Sequence, residues 1–585
     1  MAKNKHNHFN QKLSYRYYDS ETGIFHNDDS IGFMLELNVL AGANEQLIKQ
    51  LASFLADKAP EGKDWNYGFS IISSQYVGNI LRKNLESYRN ESGEIPNSAL
   101  LEYDFIKNHA ISGFKSNMGL PTVLRDYRSF VFMSTRKFSH MKRLLALMSD
   151  VVILFKSIGA SYKFLDACEL VYYLRFILNN DYNAIDPTEF KYQKLKYISE
   201  QALSGDTTLY ADSRYIDIAF DKIGRYEKKY RAVGLTVRGL PHQMVLHRMP
   251  DLFADITKPS NAMATPFILT LNFDINPLAQ SKATSSRKLA TKRRTANSKM
   301  RDWFPTIDDD VAEWTEIVKG QETGEYKTAD ITMDMIILSD EDNYQQHTES
   351  CIGSFIAKGF TLRVNEELQF LTLFNTLPFL KHQMKVASVQ AAQTHKVTTM
   401  NVANMLPIVA DYKGSHERSG LMLPTFMNQV FFLNNFITRA DNFNMCISAY
   451  SGAGKSVFMQ AMMDNHLNRG GSIYMIDKGY SSYKYAQVNN ACYLQAKDIS
   501  INPFGYISEK PEGMSDLEHQ EYVRSSNAQI KDLLSVMVSP TDSLTQVQDD
   551  ALLSAVYAAR QEKNTQAQID DVIAHLEINH AKKYK

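Results

Sequence analysis

The sequence predicts an α+β region over residues 1–400, followed over residues 401–585 by the first half of a P-loop α/β domain. Three observations carry that division. Upstream of residue 400, short β-prone apolar runs alternate with longer helical stretches, without a recognisable catalytic motif. Near residue 400 a Gly-containing polar stretch, DYKGSHERSG over 411–420, precedes a very apolar run that ends at Ile447, which places a boundary between about 395 and 420. Beyond it, a strand-like run, a glycine-rich loop and a helix pattern follow one another in the order a phosphate-binding loop requires.

Taken in chain order, the first residues, MAKNKHNHFNQK, are polar, lack the apolar core of a signal peptide and are expected to fray. Ile31–Leu40, Tyr67–Ser73, Phe130–Met133 and Phe267–Ile275 are apolar runs of strand length. Ile331, Met333, Met335 and Ile337 alternate with Thr332 and Asp334, which predicts a strand with one wetter face. Helices are expected over Lys142–Lys156 and Leu165–Asn179. Within the first of these, Leu144–Phe155 is the most apolar segment considered as a membrane span. It contains Asp150 and falls well short of the roughly 20 residues a spanning helix needs, so it reads as a buried helix.

The segment Lys282–Arg301 carries Lys282, Arg287, Lys288, Lys292, Arg293, Arg294, Lys299 and Arg301 with no acidic residue. It is a candidate contact for DNA or anionic lipid. The plainer reading, a solvated helix face balanced by Asp302 and Asp308–Asp310 just downstream, is favoured. Across all 585 residues, 64 Lys and Arg stand against 65 Asp and Glu, which excludes a uniformly basic nucleic-acid coat. A 44% hydrophobic and 22% charged composition excludes disorder over most of the length. Cys168, Cys351, Cys446 and Cys492 are too scattered for a disulfide framework or a paired-cysteine zinc site and fit a reducing, cytoplasmic compartment.

The chemistry-bearing motif is Ala449-Tyr450-Ser451-Gly452-Ala453-Gly454-Lys455-Ser456, a Walker A loop with Ala449 in place of the first glycine. Gly452 and Gly454 let the backbone close as a nest of N–H groups around phosphate oxygens. Lys455 is placed to reach the β- and γ-phosphates, and the Ser456 hydroxyl to ligate Mg²⁺. Ser451, Ala453 and Val457 complete the cradle, and the positive end of the following helix adds to the anion field. Phe443–Ile447 is expected to be the strand that enters the loop, and Ser456–Asn468 the helix that leaves it, with Val457, Phe458, Ala461 and Met462 on one side and Gly470-Gly471 closing it. A chance match to this pattern in a chain of this composition is on the order of 1%. No guanine-specifying NKxD follows, so ATP is the expected nucleotide.

The next apolar run, Ser472–Ile476, ends in Asp477. Two readings stand: a Walker B carboxylate holding the Mg²⁺ water shell, or the end of the second strand at the carboxyl edge of the sheet, where ligands bind. The short interval from Lys455, and Lys478 where an acidic residue would be expected, favour the second. His466, on the loop's helix, reads as a surface position. HExxH, GxSxG and metal-spaced His/Cys clusters are absent from the sequence.

These motifs, taken together, resemble the TraC family of conjugative type IV secretion ATPases. Asp441-Asn442-Phe443-Asn444 leads into the loop, Ile476-Asp477-Lys478-Gly479-Tyr480-Ser481-Ser482-Tyr483 is similar to the family's second-strand segment, and Ile501-Asn502-Pro503-Phe504 to its I-N-P-F segment. Upstream, the basic stretch, the Ile331 strand, a helix near Ile352–Lys358 and Phe360–Leu377 fit as well. The resemblance implies a RecA-like ATPase acting at the cytoplasmic side of the inner membrane, peripheral to it, driving pilus assembly and DNA or protein transfer. It also implies homo-oligomers, commonly hexamers, and N-terminal contacts with other secretion components.

The sequence departs from the family pattern after Asn502. Helices are expected over about Asp516–Met537, Leu544–Gln561 and Ile569–His580, with no apolar strand ending in Asp-Glu and no arginine finger. This predicts that the chain is an N-terminal portion of a longer protein, or a truncated product, with Phe443–Ile447 lacking the neighbouring strands that such a sheet supplies. Two alternatives to the motor reading stand. One is a truncated, non-catalytic docking subunit of the same machine; the other is a coupling-type DNA translocase, ranked lower because such proteins carry N-terminal spanning helices.

Overall fold

The computed structural model describes residues 9–580 except 76, 90–92, 115–122, 180–190, 206, 223–224, 255–262, 264, 299–300, 302, 304–305, 415–419, 438–441, 479, 496, 498 and 507–514. Of the twelve N-terminal residues expected to fray, 1–8 lie outside the described residues, while Asn10–Lys12 form a helical turn. Lys299 and Asp302 of the basic region and Asp441 and Gly479 of the motifs also lie outside the described residues.

Successive side chains of a strand point to opposite faces. In Ile31–Leu37 this sends Phe33 and Leu35 into one apolar cluster and Met34 into another, all fully buried. The same division recurs along neighbouring strands, so the sheet is covered on both sides. In chain order the strands are β1 (Tyr15–Asp19), β2 (Ile24–Asn27), β3 (Ile31–Leu37), β4 (Trp65–Ser74), β5 (Asp126–Thr135), β6 (Tyr162–Phe164), β7 (Thr207–Ala211), β8 (Ile216–Lys222), β9 (Arg225–Gly239), β10 (Phe267–Ile275), β11 (Thr328–Asp340), β12 (Thr361–Val364), β13 (His395–Thr398), β14 (Leu421–Pro424) and β15 (Val430–Leu433). Among the described residues the first thirteen form one sheet with the main order β1-β2-β3-β5-β4-β10-β11-β9-β8-β7. All of its pairings are antiparallel; β6 joins β3, β12 joins β9 and β13 joins β11. β14 and β15 make a separate hairpin.

The helices are α1 (Glu45–Ser53), α2 (Gly78–Glu86), α3 (Asn97–Ser112), α4 (Met141–Ser157), α5 (Ala167–Asn179), α6 (Ile198–Ala202), α7 (Leu278–Ala296), α8 (Ile307–Thr323), α9 (Tyr344–Ala357), α10 (Gln369–Thr376), α11 (Lys381–Gln390), α12 (Thr399–Met405), α13 (Lys455–Leu467), α14 (Tyr483–Val488), α15 (Asp516–Val538), α16 (Gln546–Lys563) and α17 (Ile569–His580). α1, α4, α9 and α12 contribute to the cluster on one face of the sheet; α5, α6, α10 and the Leu377–Leu380 turn contribute to the other. The apolar segment Leu144–Phe155 lies in α4, which buries Leu144, Leu147, Val151 and Phe155 in the first cluster. No helix among the described residues is long and apolar enough to cross a membrane.

One expectation fails on β11. Thr332 and Asp334 do not face water but are buried. The reason is the second helical layer: Asn375 at the end of α10 donates from Nδ2 to an Asp334 oxygen at 2.9 Å, replacing solvent on that face. Close packing recurs at Gly68 in β4, where a Cβ would lie 1.8 Å from the Phe132 ring.

A second correction concerns Phe443–Ile447 and Ser472–Ile476, which are not strands. A strand exists through its ladder of hydrogen bonds, and no described residue pairs with either segment. The chain separates into two compact units, Met1–Tyr474 and Met475–Lys585. In the second, α15, α16 and α17 bury Ile530, Leu534, Leu552, Val556 and Val572 together with Phe504.

Candidate nucleotide-binding site

A helix leaves its first amide N–H groups without internal partners, and α13 leaves them uncapped by any side chain. Its N-cap is Gly454 at φ +93°, and Gly452 stands at φ +82°, both in the left-handed region that a Cβ disfavours. Neither position has an atom within 4 Å of a Cβ, so backbone conformation rather than crowding selects glycine there. The Ala453 amide donates to the Tyr450 carbonyl at 3.2 Å and the Phe458 amide to Gly454 at 2.9 Å, closing the loop onto the first turn of the helix.

Ser451, Gly452, Ala453, Gly454, Lys455, Ser456 and Val457 are thus brought together as one exposed loop and helix start, with no acidic residue in the first helical turn. The combination of uncapped amides, a positive helix end, the Lys455 ammonium and the Ser456 hydroxyl suits a polyphosphate with an accompanying divalent cation. Among the described residues no group of three or more His, Cys, Asp or Glu side chains is placed to hold a metal by itself.

The apolar side expected of this helix is not buried. α13 buries no residue, and Val457 is 70% exposed. Its far end is fastened differently. Ring stacking sets His466 against Phe436 at 4.9 Å, so His466 is half-buried rather than a free surface residue. Asn465 donates to the Tyr88 hydroxyl at 2.9 Å, the Ser98 hydroxyl donates to Asn468 at 2.7 Å, and Arg469 donates to Asn84 at 3.2 Å. Sequence reasoning missed Tyr88, Asn84 and Ser98. They lie some 370 to 385 positions upstream of their partners, and no local pattern marks them.

Asp477 belongs to the second unit and is engaged locally. The Ser482 amide donates to one of its oxygens at 2.9 Å and the Ser481 hydroxyl at 3.0 Å to the other, just before α14. These bonds, the Ser482 amide foremost, hold its carboxyl below the usual carboxylate range. Asp477 thus has a turn-holding contact, which by itself assigns it no metal role. In the I-N-P-F segment, Asn502 donates to the Ala567 carbonyl at 2.8 Å and Phe504 is fully buried, so those residues anchor the helical unit.

The basic stretch resolves into α7 packed along α8. Lys292 pairs with Asp310, Arg301 pairs with Asp308 at 2.6 Å, Lys288 sits 4.7 Å over the Trp314 ring, and Arg293 donates to Thr315. Two of its eight basic residues, Lys292 and Arg301, are thus met by carboxylates at the start of α8.

Comparison with known proteins adds a family to this geometry. A family model described as TraC protein matches residues 9–380, and one described as TraG P-loop domain matches residues 426–572. The chain is 27% identical over 587 aligned positions to Protein TraC of Escherichia coli (strain K12), covering 97% of this chain and 64% of that protein's length.

Proposed function

The chain belongs to the TraC protein family, and from that premise we propose that it is an ATP-binding and hydrolysing motor subunit of a bacterial conjugative type IV secretion system. The observation that carries the proposal is the Gly454-capped start of α13, with its amides, Lys455 and Ser456 open together. In this reading the Ser451–Val457 backbone cradles the phosphates, Lys455 neutralises charge on the β- and γ-oxygens, and the Ser456 hydroxyl would hold Mg²⁺. Bound Mg²⁺ supplies charge neutralisation on the phosphate oxygens. Water then takes the γ-phosphoryl group, and the work goes to pilus assembly and to DNA or protein transfer. The machine's other subunits at the inner membrane are the proposed partners, with peripheral attachment to the membrane and a homo-oligomer, hexameric as the family resemblance implies.

Binding of a fluorescent ATP analogue with Mg²⁺, compared between the native chain and Lys455→Ala, tests the site. Saturable binding that weakens at least about tenfold in the variant is expected, because alanine cannot make the charge-assisted bond to phosphate. Equal binding by both overturns the assignment. Hydrolysis by the native chain that Asp477→Asn abolishes would restore Asp477 as a metal carboxylate; binding without turnover would favour the docking-subunit reading.

A further inference from the structure

The segment around the loop has no sheet beneath it among the described residues, yet it is fastened on both sides to one element pair. α2 and α3 fill the connection between β4 and β5, two neighbouring strands in the middle of the main sheet. Before the loop, the β14–β15 hairpin packs Val430 and Phe432 against Val77, Ile80, Leu81 and Ala110 of this pair. After the loop, the end of α13 makes the Asn465–Tyr88, Asn468–Ser98 and Arg469–Asn84 bonds given above, with the Arg469 guanidinium 5.0 Å over the Tyr88 ring. Asn84 joins the two sides. Its Oδ1 accepts from both Arg469 and the Gly420 amide, each at 3.2 Å, while its Nδ2 donates to Tyr88 at 3.2 Å.

The two fastenings differ in kind. The hairpin side is apolar and buried, so it separates only by exposing core. The helix side is polar and partly exposed, and such bonds exchange with water at small net cost. Glu102 on α3 also feels the charge of Asp464 on α13; burial first and that charge second push its carboxyl up. α13 spans about 18 Å between these contacts and the loop, so a tilt at the phosphate end displaces the polar end.

We propose that α2–α3 is the positioning element of the phosphate loop, and that its polar joint with α13 transmits nucleotide occupancy to β4 and β5. This rests on the loop being a nucleotide site. The test is hydrogen exchange of the full chain with and without MgADP, read over residues 78–112, beside MgADP affinity. In the native chain, MgADP is expected to slow exchange there roughly threefold or more. Arg469→Gln is expected to remove that change and, because coupling is reciprocal, to weaken MgADP by a similar factor, with Arg469→Lys intermediate. Asn84→Leu is expected to give the same result; Arg469 lies nearer the surface, so Arg469→Gln serves should Asn84→Leu fail to fold. MgADP binding with no change over 78–112, or a change that persists in Arg469→Gln, overturns the joint while sparing the nucleotide site. No MgADP binding by the native chain overturns both.

Discussion

A single buried lysine shows how strongly the second helical layer shapes this molecule. Lys381 at the start of α11 is 7% exposed; its ammonium donates to Ser388 at 2.9 Å and to Asn375 at 3.4 Å, and Asn375 in turn donates to Asp334. Burial pushes Lys381 down to about 8, opposed by the charges of Asp334 and Asp274, while burial pushes the Asp334 carboxyl up. The sign follows from linkage. A lysine whose folded value lies below its unfolded one binds fewer protons when folded between those values, so stability rises with pH across that window. Urea unfolding at pH 7.5 and 9.5 is expected to show a gain on the order of 2 kcal/mol, and Lys381→Met is expected to flatten it. A native chain equally stable at both pH values would show that Lys381 carries no penalty. Sequence periodicity could not reveal this group: Asp334 reads as part of a wetter strand face, and its burial beside Lys381 is set only when α10 and α11 cover the sheet.

At the scale of elements, the α7–α8 pair meets part of the charge of a basic run. Ion pairs on partly exposed helix surfaces contribute about 0.2–1 kcal/mol each, enough to orient the pair but little more. Neutralising Lys292, Arg293 and Arg294 together to Ala is expected to lower stability by about 1 kcal/mol and to leave duplex DNA affinity and its salt dependence unchanged. A marked loss of affinity with a shallower salt slope would reverse that reading and make α7 a phosphate-contacting face. The elements themselves were legible where the pattern is local. β10 spans the Phe267–Ile275 run, α5 ends at Asn179 as expected, and α15 and α17 match their helical stretches. Illegible from sequence were the properties set by distant partners. Whether Phe443–Ile447 pairs as a strand, whether Thr332 is wet, and what α13 leans on depend on segments far away in the chain. The loop was readable because seven contiguous residues carry its chemistry; its support on α2–α3 was not, because Tyr88 and Asn465 meet only in three dimensions.

At the scale of the molecule, the first unit concentrates its apolar core upstream of the loop, while α15–α17 carry a small core of their own. The two large apolar clusters draw all their buried members from residues Leu13 to Met427, and the α2–α3 cluster extends this only to Phe432. The loop and α13 add no buried apolar residue of their own; they are held by the hairpin and the polar joint. Since apolar burial supplies most of the driving force for folding, a segment that buries nothing contributes little to it. A fragment comprising residues 9–434 is therefore expected to fold alone and to unfold in urea as one cooperative transition, its midpoint close to that of the main transition of the full chain. α2–α3 within that fragment is expected to exchange amide protons faster than in the full chain, where Asn465, Asn468 and Arg469 hold it. A fragment that fails to fold would mean that residues beyond the hairpin carry core stability that their exposure conceals. Unchanged exchange over 78–112 would mean that the joint with α13 restrains nothing.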